Sequence, residues 1–220
     1  MTCEGASRLV ALELAGPAGP LEGLLQECEG RPGSFAALVC HPHPLFGGTM
    51  HNKVVHRVAA TLFDRGAIVL RFNFRGVGAS AGRHDRGRGE LDDARAALRA
   101  LRARVAGVPV VVGGFSFGAA VAARLAASEP DLAAVVLVAP PVTEGGVEAM
   151  RASALPKLVI QGTADDVCPL ATLEPEFAAW AEPKKLTRVD GANHYFDGQL
   201  VALGEAVLEG LAALPAGLPS

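Results

Sequence analysis

Ser116 lies between two glycines in Gly114-Phe115-Ser116-Phe117-Gly118, after the run Val110-Val111-Val112 and before a helical pattern that opens Ala119-Ala120-Val121. A sharp turn from strand to helix strains its central residue and leaves that side chain exposed, and glycines two positions away remove the Cβ atoms that would collide. Ser116 is therefore a candidate nucleophile. The chain holds 26 glycines, so the pentapeptide alone is weak, and its weight comes from its placement and from two later segments. In Gly162-Thr163-Ala164-Asp165-Asp166-Val167-Cys168-Pro169 a carboxylate follows an apolar run and could orient a histidine. Asp165 is the candidate, with Asp166 as the alternative, and either could instead cap the helix that follows. In Gly191-Ala192-Asn193-His194-Tyr195-Phe196, His194 is the candidate base: an imidazole pKa near 6.5 lets it take the serine proton and return it to a leaving group.

Acyl transfer through a serine also needs N–H donors for the tetrahedral oxyanion. One is the amide of the residue after the serine, Phe117, and the other should come from Cys40-His41-Pro42-His43-Pro44-Leu45-Phe46-Gly47-Gly48-Thr49-Met50. Pro42 and Pro44 carry no N–H, which makes Leu45 the first choice and Phe46 the second. His41 and His43 lack the supporting carboxylate or cysteine spacing of a metal site, so neither metal nor cofactor is expected; loop rigidity through the prolines and a bond from one imidazole to nearby backbone are expected instead. The glycine-containing turn Asn73 to Ser80 reads as mainly structural.

Short apolar runs alternating with longer helical patterns from residue 36 onward must position these residues. Strands are expected at Ala36 to Cys40, Ala67 to Asn73, Val108 to Gly113, Ala133 to Ala139, Lys157 to Gln161 and Lys184 to Val189. Their Val, Ile and Leu runs mostly lack alternation, as in strands covered on both faces, so they are expected to be central. Amphipathic helices are expected at Met50 to Asp64, Glu90 to Arg104, Phe117 to Ser128, Leu170 to Trp180 and Phe196 to Leu214. Leu9 to Leu14 and Leu21 to Cys28 flank a Gly/Pro turn and read as an antiparallel pair at one sheet edge. The expected class is α/β: a doubly wound, mostly parallel sheet with helices on both faces, as one domain over residues 1–220 with a frayed tail from about 215.

Composition narrows the partners. The net charge of −3 is unremarkable, and the arginines at 83, 86 and 88 are interleaved with Asp85, Glu90, Asp92 and Asp93, which argues against a nucleic-acid partner. Apolar runs fall short of the roughly 20 residues of a membrane helix, so no membrane partner is expected. The N-terminus has no secretory pattern, so a cytoplasmic location and four free thiols, Cys3, Cys28, Cys40 and Cys168, are expected.

With these residues in hand, the chain resembles the α/β-hydrolase superfamily, and more narrowly a group of small, lidless bacterial serine hydrolases related to dienelactone hydrolases. The similarity runs over roughly residues 8–212 and rests on His-Pro-His-Pro with Gly47-Gly48 and Met50, on Asn52-Lys53-Val54-Val55, on Phe72 to Ser80, and on GFSFG, QGTADDVCP and GANHYF in order. The resemblance implies Ser116 as nucleophile, Asp165 as acid, His194 as base, and Leu45 and Phe117 at the oxyanion positions. Dienelactone hydrolases use a cysteine nucleophile where this chain has serine, so their activity does not carry over. Only Pro140 to Pro156 separates two expected strands where larger members insert a cap, so no cap domain is expected. An open site implies modest selectivity and a small-molecule ester with an accessible bond.

Overall fold

The computed structural model describes residues 6–30, 33–129 and 131–214. Cys3 and the tail from residue 215 lie outside the described residues. The strands are β1 (Ser7–Gly16), β2 (Gly19–Cys28), β3 (Phe35–Cys40), β4 (Ala67–Phe72), β5 (Val110–Phe115), β6 (Ala134–Val138), β7 (Lys157–Gly162) and β8 (Lys184–Val189). They form one eight-stranded sheet in the order β1-β2-β4-β3-β5-β6-β7-β8. The β1–β2 hairpin is antiparallel and joins β4 antiparallel, while every pairing from β4 to β8 is parallel.

Among the described residues five α-helices complete the alternation: α1 (Lys53–Asp64), α2 (Arg88–Arg104), α3 (Phe117–Ser128), α4 (Leu170–Ala178) and α5 (Leu200–Ala212). The pleat decides which face each strand residue serves. On β5, Val110 and Val112 pack with α2 and α3, whereas Val111 and Phe115 pack with α1 and α5. Helices therefore cover both faces, and strands β3 and β5 to β7 are buried along their whole length, as the unbroken apolar runs require. The strand Lys184–Val189 departs from the expected central position. It closes the sheet edge, and its polar residues Lys185 and Arg188 are exposed.

Parallel strands place all their C-terminal ends at one edge of the sheet, and β3, β5, β7 and β8 each deliver one chemistry-bearing loop there. Between β6 and β7 the chain makes only two short 3-10 turns, Val142–Glu144 and Val147–Arg151, so nothing is inserted above that edge.

Two local expectations need correction. The last helix starts at Leu200 and not at Phe196, because Phe196 and Gly198 hold positive φ of 51° and 71° and break the helical path. Cys28 is disulfide-bonded, against the expected free thiol, and such bonds persist chiefly in oxidising compartments. Cys40 and Cys168 are free and buried. No described helix is long and apolar enough to cross a membrane.

Candidate active site

The strand-to-helix turn at Ser116 is tight in every coordinate that the sequence pattern implied. Ser116 holds φ 54° and ψ −122°, a left-handed conformation that costs a non-glycine residue on the order of 1–3 kcal/mol. Its N–H donates to Val138 O at 2.9 Å, which anchors the turn to β6. A Cβ on Gly114 would lie 2.1 Å from Gly118 O, and one on Gly118 would lie 2.4 Å from both Cys40 O and His41 O. The glycines thus let α3 sit directly against β5 and against the end of β3.

Two other loops bring their side chains to Ser116. His194 Nε2 is 3.1 Å from Ser116 Oγ, and His194 Nδ1 is 2.9 Å from Asp165 Oδ2. Both Asp165 and His194 are buried, whereas Asp166 is exposed, so the structure brings the first aspartate to the imidazole and not the second. Asp165 is itself held on every side. Its Oδ1 accepts the N–H groups of Val167 (3.0 Å) and Cys168 (2.7 Å), and its Oδ2 accepts from Gln161 Nε2 (2.9 Å). An ionised carboxylate only accepts, so these contacts and the imidazole Nδ1–H all point the same way, leaving the Nε2 lone pair for the serine hydroxyl. Gln161, at the end of β7, also donates to Cys168 O, which fixes the loop around Asp165. The Cys168 thiol is pushed up to about 12, chiefly by burial, which keeps it protonated beside this machinery.

The histidine loop is shaped by Asn193, whose Oδ1 accepts the N–H groups of Tyr195 and Asp197, both at 3.1 Å. Lys53, the first residue of α1, reaches across to pair with Asp197. Neither brace was visible in the sequence, because each depends on which loops face each other at the sheet edge.

The loop after β3 differs from the sequence expectation. His43 caps the 3-10 turn Pro44–Phe46: its Nδ1 accepts the Leu45 N–H at 3.2 Å, while its carbonyl accepts the Phe46 N–H at 3.1 Å. Both amides chosen from sequence are therefore engaged within the turn. The His43 N–H, by contrast, has no acceptor among the described residues. Phe117 is the first residue of α3, and its N–H likewise has no helical partner. His41 is fully buried, with Nδ1 2.6 Å from Pro42 O and Nε2 accepting the Phe74 N–H at 3.0 Å, which fixes its proton on Nδ1. Burial lowers its pKa to about 4, so it is neutral. A backbone bond was expected for one of these two imidazoles, and both make one. Among the described residues no three His, Cys, Asp or Glu side chains are arranged to hold a metal.

The turn after β4 braces the same loop. Asn73 Oδ1 accepts the Met50 N–H at 2.8 Å, Asn73 Nδ2 donates to Glu22 Oε2, and buried Arg71 donates to Met50 O. Arg75 holds the turn to α2 through a two-pronged contact with Asp93.

Residues 36–154, from β3 to the turns after β6, match the family described as serine aminopeptidase, S33. That is more than half of the chain. It belongs to this family of α/β hydrolases. Among solved structures, an alpha-beta serine hydrolase homologue from Coxiella burnetii shares 38% identity with this hydrolase at a TM-score of 0.88, covering 92% of it and 97% of the homologue. XC6422 from Xanthomonas campestris, described as an a/b serine hydrolase without lid, shares 37% at a TM-score of 0.87, with 96% and 97% covered. An uncharacterized protein of Rickettsia prowazekii, RP471, is 34% identical over 190 residues, which is 82% of this hydrolase and 79% of that protein. The expected kinship with lidless α/β serine hydrolases holds.

Proposed function

We propose that this hydrolase cleaves small carboxylic esters through an acyl-enzyme on Ser116. The observation that carries the reading is one imidazole bridging a strained serine and a buried carboxylate, at 3.1 Å and 2.9 Å. Ser116 Oγ attacks the ester carbonyl while His194 Nε2 takes its proton. The imidazolium, steadied by Asp165, then protonates the leaving alcohol, and water resolves the acyl-enzyme by the reverse proton path. The oxyanion falls to Phe117 N–H and, in place of Leu45, to His43 N–H. Support for His43 is the elimination of its neighbours: Pro42 and Pro44 have no donor, and the Leu45 and Phe46 amides are spent inside the turn. The absence of an insertion between β6 and β7 favours esters with short, accessible acyl groups.

A fluorophosphonate probe with mass-spectrometric site mapping tests the nucleophile, alongside a panel of esters, amides and thioesters. Labelling at Ser116, fastest turnover on short-chain esters, and a fall in kcat of about 10⁶-fold for Ser116→Ala are expected. An unlabelled Ser116 in the folded protein would end the hydrolase reading. Faster turnover of amides than of matched esters would replace esterase with peptidase.

A further inference from the structure

Beside the serine turn is a cavity of about 220 Å³, with His43, His84, Arg86, Phe117, Arg124 and Glu144 in its walls. It shares two residues with the reaction site. Phe117 follows the nucleophile, and His43 carries the proposed second oxyanion donor. The rings of His43 and Phe117 are 4.9 Å apart, so the cavity begins where the acyl carbonyl would be held. At that volume, below the roughly 300–1,000 Å³ of whole-ligand pockets, it suits one arm of a substrate.

The charges in its walls are unbalanced. Arg124, two turns along α3 from Ser116, gives Nη1 to Gly87 O at 3.0 Å, but neither it nor Arg86 makes an ion pair among the described residues. The acids nearby are already committed. Asp85 pairs with Arg88 and Asp93 with Arg75; Glu90 takes the N–H groups of Asp85 and Gly87 and sits 2.8 Å from His84. Only Glu144 brings a negative charge to the wall, against two guanidinium groups. Arg86 is also held at φ 52°, a left-handed conformation uncommon for a residue with a side chain. A larger hollow beside the β1–β2 hairpin has no lysine or arginine in its walls; its carboxylates are Glu13 and Glu22, and Glu22 accepts from Ala79 N–H and Asn73 Nδ2.

We propose that this cavity receives a carboxylate carried by the substrate, so that the ester cleaved is one whose acyl part ends in a free acid a few bonds from the scissile carbonyl. Guanidinium groups bind carboxylates as matched forks; Arg86 has its fork uncommitted, and Arg124 keeps Nε and Nη2 beside the Nη1 bond to Gly87 O. The inference rests on the Ser116 hydrolase reading and adds the substrate class to it. It runs against aminopeptidase action, because a substrate ammonium placed here would face two cations.

The test compares two nearly isosteric substrates, the para-nitrophenyl monoester of glutaric acid and para-nitrophenyl pentanoate. Wild type should favour the anionic ester in kcat/KM by roughly ten-fold or more, the worth of one charge-assisted bond. That ratio should collapse toward one in Arg86→Gln and Arg124→Gln, stay high in Arg124→Lys, and stay unchanged in Arg188→Gln, whose side chain pairs with Glu174 at the far sheet edge. Arg86 is exposed, so its variant should fold even if the loss of the Arg124 bond to Gly87 disturbs the loop. Succinate should inhibit wild type more strongly than inorganic phosphate, and the reverse order would overturn the carboxylate assignment. A wild-type ratio at or below one, or a ratio unmoved in both glutamine variants, would overturn the inference while leaving the hydrolase reading intact. No turnover of either ester together with no labelling of Ser116 would remove both.

Discussion

The two sides of the reaction site are built on different principles. On one side, Asp165 and His194 present side chains whose partners are side chains or local amides, and both carboxylate oxygens of Asp165 are filled. On the other, the proposed reaction would use backbone N–H groups of the loop after β3, and that use depends on which of them the loop leaves unspent. Side-chain chemistry can be named from residue type. Backbone chemistry is decided by hydrogen bonding that residue type does not encode.

The comparison breaks most visibly at Asp165. In Asp165→Asn one oxygen can still serve the Val167 and Cys168 amides, but the new NH₂ would then face His194 Nδ1–H and Gln161 Nε2, both donors. The histidine must adopt the wrong tautomer, and kcat should fall on the order of 10⁴-fold with the fold retained. Steady-state kinetics beside a circular dichroism spectrum would check this. A loss below ten-fold would mean that the carboxylate is a loop brace and not part of the proton path.

The opposite side is probed by removing a backbone donor. His43 has φ −56°, which a proline can adopt, so His43→Pro deletes the N–H without forcing the chain. The expected loss in kcat is about 10²- to 10³-fold, against a much smaller loss for His43→Ala, which keeps the N–H and loses only the imidazole. Equal losses in the two variants would return the oxyanion role to another amide.

This contrast also explains how much could be read in advance. Ser116, Asp165 and His194 were legible because each stands in a short turn after a strand, and a parallel sheet gathers those turns at one edge whatever the details. His43 is proposed in place of Leu45 because the Leu45 amide is spent on the turn's cap, which the positions of the prolines alone do not reveal. The sequence does hold a clue, since His43-Pro44 has the form of a capping residue followed by a proline at the first helical position. Asn52 holds the same kind of clue, as the N-cap that starts α1 at Lys53 where the helix was expected from Met50. Gln161, Asn193 and the Lys53–Asp197 pair were not, because polar residues at strand ends and in loops are ordinary until the facing loop is known.

His41 sharpens the comparison through pH. Its folded pKa of about 4 lies below the ordinary 6.5, so between those values the unfolded chain binds the extra proton. Its stabilising effect is therefore complete above about pH 6.5 and is lost as pH falls toward 4, by about 3 kcal/mol over the window. His43 and His56 are shifted in the same direction, chiefly by burial, so the useful quantity is the difference between wild type and His41→Gln. Glutamine can accept from Phe74 N–H and donate to Pro42 O without titrating. Thermal melts across the range should show a shallower acid slope for the variant, and parallel slopes would mean that His41 titrates alike in the folded and unfolded states.

The smallest effect expected is on the side-chain side, at Asn193. Asn193→Ala frees the N–H groups of Tyr195 and Asp197, but both amides sit in an exposed loop where water can replace the lost acceptor. His194 keeps its bond to Asp165, which alone fixes the ring at one nitrogen. Loosening of the loop should therefore lower kcat by about three- to ten-fold, a cost near that of one ordinary hydrogen bond, with KM little changed. If Asn193→Ala costs more than His43→Pro, the ranking drawn here is reversed. The histidine would then owe its position to loop backbone as much as the oxyanion site does, and the two sides of the site would be built alike.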